Sequence, residues 1–112
     1  MRLVILESPY AAPSAEEIER NVIYARRCVR HSLSAGEAPI ASHLLYTQPG
    51  ILRDNDPGER QLGIDAGLAW CSVARASVVY EDYGVSKGMG YGIAQAAERG
   101  IPIEYRTIGV NA

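Results

Sequence analysis

The sequence Ser-Lys-Gly-Met-Gly, at residues 86–90, is the stretch best suited to hold a charged ligand. It opens a predicted helix, where unpaired amide N–H groups and the positive end of the helix dipole attract anions. The glycines let a phosphate approach the backbone, which predicts an anion site formed by Ser86, Gly88 and Met89. The alternative is a plain helix cap with glycines for close packing, because neither the dinucleotide fingerprint nor the Walker lysine pattern is complete.

Hydroxyl and aromatic groups follow two of the predicted strands. Ser8, Pro9 and Tyr10 come directly after the first apolar run, where a hydroxyl and a phenol could lie over a sugar or a base. Pro9 and Tyr10 could equally end the strand and cover its edge. Tyr46 and Tyr83 offer flat faces on which a base stacks. The chain has seven tyrosines and no phenylalanine, however, so some of them must be packing residues.

Several titratable side chains are candidates for proton transfer or hydrogen bonding. His43 titrates near neutral pH and could act as a general acid or bond to a base, or it could satisfy only local backbone groups. Asp65 is an acid among apolar residues of a predicted helix, which indicates either a site or a solvated face. Glu81 and Asp82 follow the third apolar run, where a carboxylate could serve a ribose or a leaving group, with surface solvation as the alternative.

Alternating strands and helices must position these residues. The predicted strands, each short and apolar, are residues 3–6, 38–45, 76–80 and 101–106. The predicted helices begin at the caps Ser14, Asp56 and Ser86 and end near Gly36, Val73 and Gly100. His43 falls at the carboxyl end of the second predicted strand. Residues 46–60 form a long loop of the sort that usually carries function.

This order of elements predicts an α/β fold of three layers, α/β/α, with a mostly parallel sheet of four or five strands. In such sheets small ligands bind beyond the carboxyl ends of the strands, near a switch in strand order. The segments ESPY, SHLLY and EDYGVSKGM, together with the end of IEYR, converge at that edge. The candidate residues on these segments are therefore predicted to share one site.

Composition limits the classes of function. A chain of 112 residues with 47% hydrophobic content forms one domain, residues 1–112, with room for a single core. The formal net charge of -2 and the absence of any Lys/Arg run argue against a nucleic acid polymer as partner. The first apolar run is too short for a signal peptide or a membrane span, so we expect a cytoplasmic protein without membrane contacts.

The cysteines and the single tryptophan lead to two further expectations. Cys28 and Cys71 lie far apart, with no Cys or His at ligand spacing, so we expect reduced thiols, no metal site and no cofactor. The helical stretch LAWCSVA carries Trp70 and has apolar residues on more than one face. This pattern predicts a homo-oligomer, a dimer or larger. The alternative places Trp70 in the core of its own chain.

Five segments together resemble a family of small phage and prophage proteins, and the resemblance covers nearly the whole chain. They are ESPY, ERNVIYARRC, PIASHLLY, ERQLGIDAG and SKGM. Those proteins are similar to the nucleoside 2-deoxyribosyltransferases and deoxynucleotide N-glycosidases, within the wider group of Rossmann-like nucleotide-binding domains. The resemblance implies a single Rossmann-like domain that binds a nucleoside or a nucleotide.

The same resemblance implies roles for particular residues. In the enzymes a tyrosine after the first strand, an aspartate in the second helix and a serine or aspartate at the third helix surround the glycosidic bond, with a nucleophilic glutamate six residues later. Tyr10, Asp65 and Ser86 match the first three of these. The fourth position is Gly92, which has no side chain to attack a sugar. Glu98 lies about 9 Å farther along the helix and cannot replace the missing group.

The missing nucleophile favours a binding protein with no catalytic residue over an enzyme. In a phage, such a protein could sequester a nucleotide signal of host defence, for instance a relative of cyclic ADP-ribose. The alternative is an N-glycoside hydrolase or deoxyribosyltransferase in which Asp65, Glu81 or Asp82 is a relocated catalytic acid. A scaffold without a ligand is the third reading. The identity of the base, the number of phosphates and whether the ligand is cyclic stay open.

Overall fold

The computed structural model describes residues 1–110, which form strands and helices in alternation. The strands are β1 (Arg2–Glu7), β2 (Glu37–Ile40), β3 (Ala76–Tyr80) and β4 (Ile103–Arg106). The helices are α1 (Ala15–Ser34), α2 (Ser42–Leu45), α3 (Pro57–Ala69) and α4 (Lys87–Glu98). A short 3₁₀ turn, Trp70–Ser72, follows α3.

Within residues 1–110 the strands form one four-stranded sheet in the order β2-β1-β3-β4, and every pairing is parallel. The predicted three-layer α/β fold with a parallel sheet is therefore confirmed. The sheet has four strands, the lower of the two predicted numbers. The chain leaves β1 in one direction to β2 and later returns to β3 on the other side. The switch in strand order therefore lies between β1 and β3, the two central strands of the sheet.

Alternation along β1 divides its side chains between the two faces of the sheet. Val4 and Leu6 pack against Tyr24 and Cys28 of α1, in the larger core cluster. The second face is covered by α4, where Ile5 packs in a smaller cluster with Ala96 and Ile101. Since residues two apart in a strand share a face, the last residue of β1 points to the α4 side, like Ile5.

The predicted caps fix where the helices begin. Ser14 accepts a hydrogen bond from the Glu17 backbone N–H at 3.2 Å, which starts α1. Asp56 accepts from the backbone N–H groups of the first turn of α3, in which Pro57 is the first residue. Ser86 Oγ accepts from the Met89 backbone N–H at 3.3 Å and starts α4. These contacts satisfy amide groups that a helix leaves unpaired at its start, and the three predicted starts are confirmed.

The second strand is shorter than predicted. It covers Glu37–Ile40 instead of residues 38–45, and the apolar run continues into the single helical turn of α2. Ala41 is buried in the core, and its carbonyl accepts hydrogen bonds from Leu44 and Leu45. The turn lets Leu44 pack against the core cluster. His43 consequently lies on α2, not on the strand end, which corrects the prediction for its backbone.

Helix α3 covers one side of the molecule without entering the core. Each of its residues keeps some exposure, and Leu62 is 57% exposed. It lies against α2 at Gly67, where a Cβ atom would come within 2.5 Å of Ser42 Oγ. Trp70, just after this helix, is 41% exposed and donates a hydrogen bond from Nε1 to Tyr46 Oη at 3.0 Å. The alternative prediction, which put Trp70 in the core of its own chain, is therefore wrong.

A charged network joins the strands on the α1 face. Glu37, which is 4% exposed, accepts hydrogen bonds from Arg106 and Arg2, each at 2.6 Å. The same two arginines donate to Glu104. The hydrogen bonds from Arg106, together with those from Arg2, lower the pKa of Glu37 to about 2 against the opposing effect of its burial.

Two observations bear on the thiols and the membrane. Cys28 is a buried free thiol and Cys71 is a partly buried one, so the predicted reduced state fits the structure. In the part of the chain that the structure describes, no helix combines the length and apolar character needed to cross a bilayer.

Candidate functional site

A cavity of about 690 Å³ opens at the carboxyl end of β1, on the face that carries α4. Its walls come from the segment after β1, from α2, from the long loop and α3, and from the first half of α4. Parallel strands present their carboxyl ends to this edge, and the strand order switches between β1 and β3. Ligands bind at such a switch in folds of this class. The loop predicted to carry function contributes Leu52 and Asp54 to the wall.

Most of the predicted ligand-binding residues line this one cavity, although they come from three separate segments of the sequence. They are Ser8, Tyr10, His43, Tyr46, Ser86, Gly88 and Met89. Their convergence follows from the parallel sheet, which brings the ends of β1, β2 and β3 to the same edge. That they bind a ligand stays a prediction.

Pro9 and Asp65 lie outside the cavity. Pro9 is buried beside Ser8 and does not line the wall. Asp65 is exposed on α3 and accepts a hydrogen bond from Gln61 Nε2 at 2.9 Å. One residue of an α-helix turns the side chain by about 100°, so Ile64 faces the cavity while Asp65 faces solvent. The placement of Asp65 at the site is therefore corrected.

Asp82 is also absent from the cavity wall, because its carboxylate has another role. It accepts hydrogen bonds from the backbone N–H groups of Ile108 at 3.0 Å and Gly109 at 2.8 Å, and from the Tyr24 hydroxyl. Burial would raise the pKa of Asp82, but these hydrogen bonds outweigh it and lower the pKa below its ordinary value. Asp82 thus attaches the segment after β4 to the body of the domain, and its predicted place in the site is corrected.

The two remaining candidates near Asp82 also face away from the cavity. Glu81 is exposed, and Tyr83 packs edge-on against Tyr24 with a centroid separation of 4.8 Å. The guanidinium of Arg20 lies 4.2 Å from the centre of the Tyr83 ring. These contacts cover part of the ring, while the residue stays 38% exposed.

Glu7, the last residue of β1, is a cavity residue that the sequence analysis missed. Its carboxyl group lies against Gly92 on α4, where a side-chain Cβ would overlap with Glu7 Oε2. A carboxyl group therefore does occupy the space beside position 92, but it comes from the strand instead of the helix. The available signal was the alternation along β1, which puts Glu7 on the face of Ile5.

Burial determines the protonation state of Glu7. Loss of solvent raises the pKa of its carboxyl group to about 8. Among residues 1–110, no hydrogen-bond donor or cation contributes to this shift in the opposite direction. The group is therefore mostly protonated at neutral pH and presents an O–H donor to the cavity. Carboxyl groups with strongly raised pKa values cluster at functional sites, and Glu7, which keeps partial exposure, lines this cavity.

Ser8 and His43 form a hydrogen-bonded pair in the cavity wall. Ser8 Oγ lies 2.6 Å from His43 Nε2, and Ser8 is 3% exposed. Burial lowers the pKa of His43 to about 4, so the imidazole is uncharged at neutral pH. Thr47 Oγ1 donates to the His43 carbonyl at 2.6 Å, which supports the short helix α2. The pair offers polar atoms to a ligand without adding charge.

The start of α4 gives the cavity a positive region. Ser86 Oγ satisfies the Met89 N–H, which leaves the N–H groups of Lys87 and Gly88 directed out of the helix start. The side chains of Lys87 and Arg60 line the same cavity. Within the described residues neither cation forms a salt bridge, whereas the nearby carboxylate of Glu59 is paired with Arg53 at 3.2 Å. This region suits an anionic group.

The comparison with solved structures supports the fold. The chain is similar to the 2-deoxyribosyltransferase of the psychrotolerant bacterium Bacillus psychrosaccharolyticus, with a TM-score of 0.63 and 16% identity. The match covers 94% of this chain and 72% of that one. The bacterial enzyme is described as a biocatalyst for the synthesis of antiviral and antitumoral nucleosides. At this identity the likeness establishes a shared fold, which confirms the Rossmann-like, deoxyribosyltransferase-like part of the predicted resemblance.

Sequence comparison adds the family. No curated protein is significantly similar to this chain. The predicted likeness to phage and prophage proteins stays a prediction. A family described as "Domain of unknown function (DUF7768)" matches residues 2–106, nearly the full length, and the chain therefore belongs to that family.

Proposed function

We propose that the protein binds a nucleoside or a nucleotide in the cavity at the carboxyl end of β1. The observation that carries this proposal is the arrangement of the wall, in which the positive start of α4 and the rings of Tyr10 and Tyr46 face one space. A volume of about 690 Å³ lies within the usual range for small-molecule sites. The fold shared with a nucleoside-processing enzyme supports the same ligand class.

The charged region implies a phosphorylated form of the ligand. The N–H groups of Lys87 and Gly88, with the dipole of α4, attract a phosphate at the helix start. The Lys87 and Arg60 side chains are free to neutralise it. Tyr10 and Tyr46, which line the same cavity, provide aromatic faces for a base. A nucleotide satisfies both regions with one molecule.

Calorimetric titration with matched nucleosides and nucleoside monophosphates tests this proposal. We expect the monophosphates to bind more tightly, and Lys87→Ala to weaken their binding by about tenfold, or roughly 1.4 kcal/mol. Arg26→Ala is the matched control, since Arg26 is an exposed cation on α1 outside the cavity. Absence of binding by every nucleoside and nucleotide tested would overturn the proposal.

In this proposal the protein retains its ligand without cleaving it. Gly92 has no side chain at the position where the resembled enzymes carry their nucleophile. Retention fits the sequestration, in the cytoplasm of a host cell, of a nucleotide signal such as a cyclic ADP-ribose relative. Cyclic ADP-ribose and ADP-ribose therefore belong in the titration. Recovery of the bound molecule intact after denaturation, by mass spectrometry, supports retention, and recovery of free base contradicts it.

Glu7 favours a second candidate function, the cleavage of an N-glycosidic bond. The bond between C1′ and the base nitrogen would break with its electron pair on the base, which takes the proton of Glu7. Water would then bond to C1′ and return a proton to Glu7, so that hydrolysis yields a free sugar and a free base. Base release measured by chromatography tests this activity. Glu7→Gln should abolish it, whereas Glu98→Gln, an exposed acid on α4, should not.

We also infer that two or more copies associate through the surface near α3. Apolar side chains are exposed there, including Leu45 at 44%, Leu62 at 57% and Trp70 at 41%. Exposed apolar residues grouped in this way are typical of interaction surfaces. Light scattering after gel filtration should give a mass above that of one chain, and Leu62→Glu should reduce it. A monomer at high concentration would contradict this inference.

A further inference from the structure

Glu7 is a cavity residue that the proposed binding mode leaves without a partner. Its carboxyl group lies under Gly92, six residues beyond Ser86 on the same helix. Six residues correspond to about 9 Å of helix. The positive start of α4 and the carboxyl group of Glu7 are thus separated along one wall of the cavity. A ligand held at one end by its phosphate reaches toward the other with its base.

We propose that Glu7 selects the ligand by donating a hydrogen bond from its carboxyl O–H to an acceptor atom of an uncharged nucleobase. The acceptor is a ring nitrogen or a carbonyl oxygen. This inference rests on the proposed function and specifies the chemistry of its ligand. It assigns Glu7 as a specificity-determining residue.

The surroundings of Glu7 favour a donated hydrogen bond. In the described part of the chain, no arginine or lysine forms a salt bridge with it, and its burial favours the uncharged acid. Glu7 keeps partial exposure in the empty cavity, so a ligand that covers it removes water from its donor, which is costly, and a base acceptor offsets that cost. A ligand without an acceptor at this point leaves the donor unpaired, which is how hydrogen-bonding sites reject close analogues.

The proton on Glu7 makes binding depend on pH in a defined direction. The pKa of Glu7 is about 8 in the empty cavity, and a ligand that accepts its hydrogen bond raises that pKa further. Affinity is therefore complete below pH 8 and falls by about tenfold per pH unit at most above it. A cationic base would instead bind the ionised carboxylate, so its affinity would rise over the same interval.

Other ionisable groups also line the cavity, and their contributions to the pH dependence of binding must be distinguished from that of Glu7. They are Tyr10, His43, Tyr46, Asp54, Glu59, Arg60, Cys71, Lys87 and Tyr91. His43 has a pKa near 4. Burial raises the pKa of the Cys71 thiol above its ordinary value, Arg99 opposes this and the charge of Glu7 adds to it. All these groups remain in a Glu7→Gln variant. A fall in affinity with rising pH that is seen in wild type and absent from this variant is therefore due to Glu7.

Titration calorimetry with adenosine and cytidine tests the inference, because these nucleosides lack a phosphate and their bases have no ring N–H group that ionises at mildly alkaline pH. For each one that binds, affinity is measured from about pH 6 to about pH 9.5. For the wild-type protein we expect the affinity to decline at the upper end of this pH range. Glu7→Gln keeps an N–H donor and should bind with no decline, whereas Glu7→Ala should bind roughly three- to tenfold more weakly below pH 8.

Analogues in which a carbon replaces one ring nitrogen identify the acceptor. The analogue without the contacted nitrogen should lose affinity for wild type but not for Glu7→Ala. Glu98→Gln, on the same helix but exposed, is the matched control and should retain the wild-type profile. Nucleoside binding that is independent of pH and unchanged in Glu7→Ala would overturn this inference alone. Failure of every nucleoside and nucleotide to bind would overturn the proposed function with it.

Discussion

The carboxyl group of Glu7, at the end of strand β1, occupies the space into which a side chain on Gly92 of helix α4 would project. The two residues are far apart in sequence, and their contact depends on the packing of α4 over the sheet. One of them can carry a large side chain only if the other is small. This reciprocal relationship leads to the first prediction.

Gly92→Ala should destabilise the domain, because the added methyl group overlaps with Glu7 Oε2. The overlapped oxygen ends a side chain that lines the cavity and can move in part, so we expect a cost of about 1 kcal/mol in the free energy of unfolding, which urea denaturation measures. Gly90→Ala is the matched control on the same helix, since nothing lies within 4 Å of its added carbon. It should stabilise the helix by about 0.5 to 1 kcal/mol. Equal effects at the two positions would contradict the contact.

The raised pKa of Glu7 should reduce stability as the pH increases. The folded protein retains the proton up to about pH 8, whereas the unfolded chain loses it near the ordinary value of 4.5. The native state therefore binds more protons in this interval, and the free energy of unfolding falls by about 1.4 kcal/mol per pH unit at most. Glu7→Gln should be more stable than wild type at pH 8, by up to about 4 kcal/mol. Near pH 4.5 the two proteins should differ little.

Glu37 should make the opposite contribution. Its pKa of about 2 in the folded protein lies below the ordinary 4.5, so its ion pairs stabilise the fold at neutral pH and are lost as the pH falls between these values. Glu37→Gln removes the more buried of the two carboxylates that Arg2 and Arg106 share, leaving them Glu104, and should cost about 2 to 4 kcal/mol. Thermal unfolding at neutral pH measures this. Glu16→Gln, an exposed acid on α1, should change the stability little.

Asp82→Asn should release the segment after β4. The substitution replaces the carboxylate that accepts hydrogen bonds from the N–H groups of Ile108 and Gly109 with an uncharged amide. Hydrogen bonds to charged groups contribute about 1.5 to 3 kcal/mol each. Hydrogen exchange should become faster at these amides while β1 and β3 remain protected. The neighbouring variant Glu81→Gln should leave the exchange unchanged, because Glu81 is exposed. Persisting protection in Asp82→Asn would show that other contacts hold the segment.

The sequence predicted the features that depend on local pattern. Continuous apolar runs located β1 and β3, and the caps Ser14, Asp56 and Ser86 located the starts of three helices. The parallel order then predicted the edge at which Ser8, Tyr10 and Ser86 meet, because this follows from topology and needs no atomic detail. The fold was therefore largely predictable from the sequence.

The features that were missed depend on long-range packing. Glu7 looks like the polar end of a strand until α4 covers it, and Gly92 looks like an absent side chain until its neighbour is known. The side on which Asp65 lies depends on the rotation of α3 about its axis, which a helix with little burial specifies weakly. In the second apolar run, periodicity could not separate a long strand from a short strand followed by a helical turn.

Helix α3, whose residues are all at least partly exposed, closes one side of the cavity without belonging to the core. Segments with few buried contacts open at a free-energy cost well below that of global unfolding. We therefore expect guest molecules to enter and leave by transient detachment of this helix while the sheet stays intact. The dissociation rate of the ligand would then be set by the rate of this local opening. It could change without any change in the free energy of unfolding of the whole domain.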